Sequence, residues 1–163
     1  MNAIQGATLL LATLTMGLMA GVFGVYAHAI MPGLGKTDAR TFVGAFQAID
    51  RAIINPLFMA AFFGAAVLTA AAAALHLGDA AAPWIIAALV LYAAVFVITI
   101  AVNVPLNDAI KAAGDPDRIS DVAGVRERFD EARWAGWNVV RAVASTVAFG
   151  CLLWALVEFG RTL

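Results

Sequence analysis

Hydrophobic positions fall in four long blocks, at roughly residues 4–31, 56–77, 83–103 and 134–159. Each is near or above the roughly 20 apolar residues that a helix needs to cross a bilayer. Long polar connections follow the first and third blocks, and only a tight turn, Gly78-Asp79 to Pro83, separates the second from the third. The pattern predicts an all-α polytopic membrane four-helix bundle, with one integral membrane domain over residues 1–163.

The connections carry their own periodicity. Met31-Pro32-Gly33 is expected to end the first span, because proline removes a donor and glycine tolerates the turn. Asp38 is placed to cap a helix in which Phe42, Phe46, Ile49 and Ile53 share a face while Lys36, Asp38, Arg40, Asp50 and Arg51 point elsewhere. This reads as an interfacial amphipathic helix. Asn55-Pro56 starts the second span. The third is expected to end at Asn103-Val104-Pro105-Leu106-Asn107-Asp108, where Pro105 breaks the backbone ladder. Ser120 or Asp121 caps a second interfacial helix, charged from Arg126 to Arg133, which is expected to run straight into the fourth span. Phe46 precedes Asn55 by the interval that separates Phe129 from Asn138, and each stretch follows a span ending in a proline turn. That spacing suggests two hairpins related by an axis along the membrane normal.

Composition agrees: 63% of residues are hydrophobic and 13% charged, against about 45–50% and about 25% in soluble domains. The net charge of −1 gives no field to attract nucleic acid. Ala27-His28-Ala29 has the form of a signal cleavage site, yet no Lys or Arg precedes the apolar stretch and the stretch is long, so the first segment is expected to be retained. Lys36, Arg40, Arg51, Lys111, Arg118, Arg126, Arg128 and Arg133 lie on the two long connections, and only Arg161 lies on the other side. The positive-inside rule therefore predicts cytoplasmic loops at residues 32–55 and 104–133, with both termini outside, in a bacterial inner membrane.

Polar residues gather where the spans meet those loops. Helix one brings Tyr26 and His28, helix two Asn55, helix three Asn103 and Asn107. On helix four, Trp134, Trp137, Asn138, Arg141 and Ser145 follow one another at helical spacing. The uncharged run from Ala142 to Val157 is too short for the hydrocarbon core, so Arg141 is expected at or inside the membrane boundary. A cation at that depth normally points into the bundle, and turning Arg141 inward turns Asn138 and the tryptophans with it. One shared pocket follows. Each member also has a structural explanation. The tryptophans fit an interfacial belt, Arg141 a snorkelling side chain, Asn103 and Asn107 partners for backbone groups freed by Pro105, and His28 a hydrogen bonder. Gly17, Gly21 and Gly24 form a small-residue stripe suited to close helix approach or to a homo-oligomer.

The residue set narrows the chemistry. One histidine at this end, a single cysteine (Cys151) in an apolar run and no carboxylate on the inward faces of helices one to three argue against a metal site. No phosphate, nicotinamide or flavin motif is present. The remaining set is a base (His28), a fixed cation (Arg141), amides and aromatic walls. It suits a flat, lipophilic small molecule whose oxygen becomes negative, with His28 removing a proton while Arg141 and Asn138 stabilise the enolate.

The stretches Tyr26-Ala27-His28-Ala29-Ile30-Met31-Pro32-Gly33-Leu34, Phe46-Gln47-Ala48-Ile49 to Asn55-Pro56, Asn103-Val104-Pro105-Leu106-Asn107 and Trp134-Ala135-Gly136-Trp137-Asn138-Val139-Val140-Arg141 together resemble the anthrone oxygenase-like family of small four-helix membrane proteins. The resemblance covers nearly the whole chain. It implies oxidation of anthrones to anthraquinones by molecular oxygen without an evident cofactor. Joined to the residue reading, the expectation is an oxygenase acting on an anthrone-like or phenolic lipophilic substrate, with His28, Arg141 and Asn138 catalytic and Tyr26, Asn55, Asn103, Asn107, Trp134 and Trp137 binding substrate. Alternatives from other classes are a non-enzymatic membrane module binding a quinone, lipid or partner protein, and a small transporter. The last is disfavoured by the alanine-rich outer half.

Overall fold

In the computed structural model, which describes residues 2–162, the chain is a helical bundle made of two similar hairpins. The first comprises α1 (Asn2–Val25), a π-helical turn π1 (Tyr26–Ile30), α2 (Met31–Leu34), α3 (Ala39–Ile53) and α4 (Pro56–Leu75). The second comprises α5 (Ala82–Ile98), a π turn π2 (Thr99–Asn103), α6 (Val104–Ala112), α7 (Val122–Phe129) and α8 (Glu131–Gly160). Four helical stretches, containing α1, α4, α5 and α8, are long and apolar enough to cross a membrane. With no strand among the described residues, the protein is an all-α integral membrane bundle with amphipathic helices between spans one and two and between spans three and four. At about 1.5 Å per residue, the 20 residues of α4 span roughly 30 Å, the thickness of the hydrocarbon core.

α1 packs between α8 and α4, and α5 closes the ring against both. Alanine allows the close approach: Ala61, Ala65, Ala72 and Ala73 of α4 are buried against larger partners such as Met16, Met19 and Tyr92. Leu14, Leu18, Val67, Val90, Val97 and Val147 are exposed instead, which is the expected outer surface of a bundle solvated by lipid. The glycine stripe divides. A Cβ on Gly17 would lie 2.9 Å from the Phe149 ring of α8, so this glycine serves the α1–α8 contact, whereas one on Gly21 or Gly24 would meet nothing within 4 Å.

Three expectations about helix ends are corrected. Proline does not end the first and third spans; both helices continue through it. Met31 N–H bonds Tyr26 O and Val104 N–H bonds Thr99 O, five residues back in each case. The wider π turn accommodates the ring of the next residue, Pro32 or Pro105, which has no N–H and would clash with the carbonyl four residues back in an α ladder. The charged helix and the fourth span are not one straight helix. Asp130 separates α7 from α8 in the left-handed conformation (φ 53°), which Asp adopts more readily than most residues. Its carboxylate then caps α8 by accepting from Arg133 N.

The loop-rich end is held by polar clamps around an aromatic cluster. Asp38 caps α3, and its interaction with Thr41 holds the carboxyl below the usual carboxylate range. Asp121 caps α7, and Asn55 caps α4 by accepting from Leu57 N and Phe58 N. Gln47 on α3 donates to Ile110 O and Gly114 O at the end of α6. Arg126 donates to Thr37 O and Gly35 O, pairs with Glu131 at 2.8 Å and stacks over Phe42. Inside these clamps Phe42, Phe46, Phe129 and Trp134 are buried together.

Candidate functional site

The two π turns contribute Tyr26, Thr99 and Asn103 to one interior region. Between them lies a cavity of about 100 Å³. Val22, Phe23 and Tyr26 line it from the first span, Phe46, Asp50, Ile53, Ile54 and Phe58 from α3 and the start of α4, Thr99, Asn103, Val104 and Asn107 from π2 and α6, and Trp134, Asn138 and Arg141 from α8. All four spans contribute.

Arg141 is the central group. It is 5% exposed and, among the described residues, forms no ion pair. Its Nη2 donates to Asn138 Oδ1 at 2.9 Å and its Nη1 to Thr99 Oγ1 at 3.2 Å. Nε has no partner. The guanidinium lies 4.5 Å from the Phe23 ring centroid and 5.5 Å from that of Trp134, so the negative faces of two rings partly replace a counter-ion. Asn138 is held by its own donor bond to Phe23 O on α1. Thr99 donates to Val95 O, which leaves its oxygen free to accept from Arg141. The cation is therefore fixed in position and incompletely neutralised.

A second polar chain lies towards the loops. Trp134 Nε1 donates to Asn107 Oδ1 at 2.6 Å, and Asn107 Nδ2 donates to Asp50 Oδ1 at 2.7 Å. Lys111 Nζ stands 2.8 Å from Asp50 Oδ2 and 3.1 Å from Asp108 Oδ1. Asn103 donates to Trp134 O, while its own oxygen is buried without a partner. Tyr26 and Phe46 wall the space, with rings 5.7 and 5.5 Å from that of Trp134.

The structure thus brings Tyr26, Asn103, Asn107, Trp134, Asn138 and Arg141 together, and does not bring in the other three expected residues. His28 is exposed on the outer side of π1 and lines no part of the cavity. It lies two positions along from Tyr26, so when Tyr26 faces inward His28 faces away. Asn55 is an exposed helix cap. Trp137 is 40% exposed, in the position of an interfacial anchor. Conversely, Asp50 does not point elsewhere: it is 6% exposed and lines the cavity. It belongs to the inward stripe Val43, Phe46, Gln47 and Asp50 at three- and four-residue steps, a signal present in the sequence but masked by the neighbouring Arg51. Thr99, four residues before Asn103, was likewise identifiable by spacing. Among the described residues no three His, Cys, Asp or Glu side chains come together as a metal-ligand set.

This combination, a four-helix membrane bundle with an incompletely paired arginine in an aromatic cavity beside one end, defines the class of protein. The family model described as Anthrone oxygenase matches residues 55–151, more than half of the chain and most of the cavity's polar lining. The chain belongs to the anthrone oxygenase family. Comparison with curated proteins and with solved structures finds no match.

Proposed function

We propose that the protein is a membrane oxygenase that oxidises an anthrone-like or phenolic lipophilic substrate with molecular oxygen, without a bound cofactor, in the cavity at the cytoplasmic ends of its helices. The observation that carries this reading is Arg141, buried, aimed into an aromatic-walled space and lacking a carboxylate partner among the described residues. A substrate that forms an enolate or phenolate supplies the missing negative charge, and the charge lowers the barrier only as it develops. Asn138 and Thr99 hold the guanidinium beforehand, so little reorganisation accompanies the reaction. Such an anion is electron-rich enough to pass electrons to oxygen directly, and family membership favours anthrones as the substrate class. Tyr26, Phe46, Phe58 and Trp134 provide flat apolar contact for fused rings. The bacterial inner membrane, with both termini outside, remains the expected setting.

Oxygen uptake and anthraquinone formation from a simple anthrone, by purified protein in lipid nanodiscs, test this reading. Uptake well above the spontaneous rate, lost in Arg141→Ala, supports it. Uptake at the spontaneous rate, with anthraquinone still bound, favours instead a binding module for a quinone or lipid. That second reading gains weight from one observation: His28, the base expected from sequence, stands outside the cavity.

A further inference from the structure

We propose that Asp50 is the catalytic base of this cavity and Lys111 its positioning partner; the proposal rests on the oxygenase reading above. Among the described residues that line the cavity, Asp50 is the only carboxylate, and none is a histidine. It reaches the cavity from α3, an amphipathic helix that is not one of the four long apolar stretches, whereas Arg141 reaches it from α8.

The surroundings of Asp50 are those of a held base. Asn107 donates to Oδ1 at 2.7 Å and is itself fixed by Trp134 Nε1, so the tryptophan that walls the cavity also sets the carboxylate's orientation through one amide. Lys111 stands 2.8 Å from Oδ2 and supplies the counter-charge without which a carboxylate buried to this extent is costly. Lys111 is itself a quarter exposed and bonded to the outer Asp108, which connects the base to the polar end of the bundle. Each carboxylate oxygen has more than one acceptor site, so these contacts leave capacity for a substrate proton. A structural ion pair between α3 and α6 has no need of a carboxylate facing a cavity.

The reaction balances with these groups. Asp50 takes one proton from the acidic methylene between the substrate's rings. The C–H electron pair delocalises onto the carbonyl oxygen, facing Arg141. The carbanion carbon reduces dioxygen by electron transfer and recombination, forming a C–O bond, and the peroxide takes the proton back from Asp50 to become a hydroperoxide. Asp50 then removes the second methylene proton; the C=O bond forms, the O–O bond breaks, and the departing hydroxide takes that proton as water. One methylene and one O2 become one ketone and one water.

The test separates proton abstraction from oxidation. Anthrone deuterated at its methylene is incubated with nanodisc-embedded protein without oxygen, and loss of deuterium to solvent is followed; turnover is then measured in air, and anthraquinone binding by quenching of tryptophan fluorescence. Expected for the wild type is exchange above background. In the isosteric Asp50→Asn, exchange and turnover fall by about 100-fold or more, the scale of a general base, with anthraquinone affinity within about threefold; Asp50→Glu recovers part of the exchange. Near-wild-type exchange in Asp50→Asn overturns the proposal. So does a loss of anthraquinone binding in both variants, which makes Asp50 a structural residue. A wild type that binds anthraquinone but neither exchanges anthrone nor consumes oxygen defeats the oxygenase reading itself, and this assignment with it.

Discussion

Phe46 of α3 and Phe129 of α7 lie 4.5 Å apart, centroid to centroid, with rings tilted at 58°; their equal intervals to Asn55 and Asn138 do not mark equivalent places, because Asn55 caps α4 whereas Asn138 lies inside α8, which Asp130 caps. The pair joins the two interfacial helices under the cavity floor, and Phe42 and Trp134 complete the cluster. Truncating a buried phenylalanine removes transfer free energy and leaves a void, which together cost about 3–5 kcal/mol. Phe129→Ala is therefore expected to destabilise the protein by about that amount, measured by thermal or denaturant unfolding in detergent. Phe129 does not line the cavity and Phe46 does, so Phe46→Ala is expected to weaken anthraquinone binding as well, whereas Phe129→Ala, below its lowered midpoint, is not.

The glycine stripe provides a prediction from paired substitutions. A side chain at Gly17 must displace the Phe149 ring, while one at Gly21 enters open space. Gly17→Leu is expected to cost about 1–3 kcal/mol, the range for overpacking, and Gly21→Leu to lie within about 0.5 kcal/mol of wild type. If Gly21 and Gly24 instead form the interface of a homo-oligomer, Gly21→Leu lowers the mass of the nanodisc-free particle in light scattering, which gives the proposed oligomer its test.

His28 carries the sharpest correction, and a direct expectation follows. Because its side chain is exposed on the face of π1 away from the cavity, His28→Ala is expected to keep oxygen uptake and deuterium exchange within about twofold of wild type. A loss of 100-fold or more, the contribution of a general base, would return the base to this residue.

The four spans were legible because lipid imposes one simple rule: a long apolar run must become a helix that satisfies its own backbone. The pocket was legible in part for a related reason, since Arg141 cannot face lipid and Trp134 and Asn138 turn with it. Three features hid the rest. Pro32 and Pro105 read as helix ends, but a π turn before each lets the helix pass through, and no local residue pattern distinguishes the two outcomes. His28, at an attractive place in the sequence, lies two residues past Tyr26, so it points outward when Tyr26 faces the cavity. Asp50 was hidden by context: on an amphipathic helix a charge next to Arg51 reads as solvated, and only the fold of α6 across α3 brings Asn107 and Lys111 to meet it. Asn55 illustrates the converse, an exposed asparagine at a span boundary whose side-chain oxygen caps α4 while its Nδ2 donates to Ala52 O.

Arg141 offers the prediction that best separates function from stability. A buried cation is costly even when hydrogen-bonded, and replacing buried charges by apolar side chains of similar volume is often neutral or stabilising. Here the guanidinium has no carboxylate partner among the described residues and one unpartnered nitrogen, and it lies over the rings of Phe23 and Trp134. Arg141→Met keeps the stem and removes the charge. It is expected to unfold no more easily than wild type, and to lose oxygen uptake by about 100- to 1,000-fold, the scale of removing one preorganised oxyanion donor. Arg141→Lys restores the charge but not the fork that reaches Thr99 and Asn138 together, so it is expected to recover only part of that loss. The measurements are oxygen uptake beside the unfolding midpoint of each variant. A fall in midpoint matching the fall in activity would make Arg141 a structural residue; activity lost at an unchanged or raised midpoint is what a cation held in reserve for a substrate anion requires.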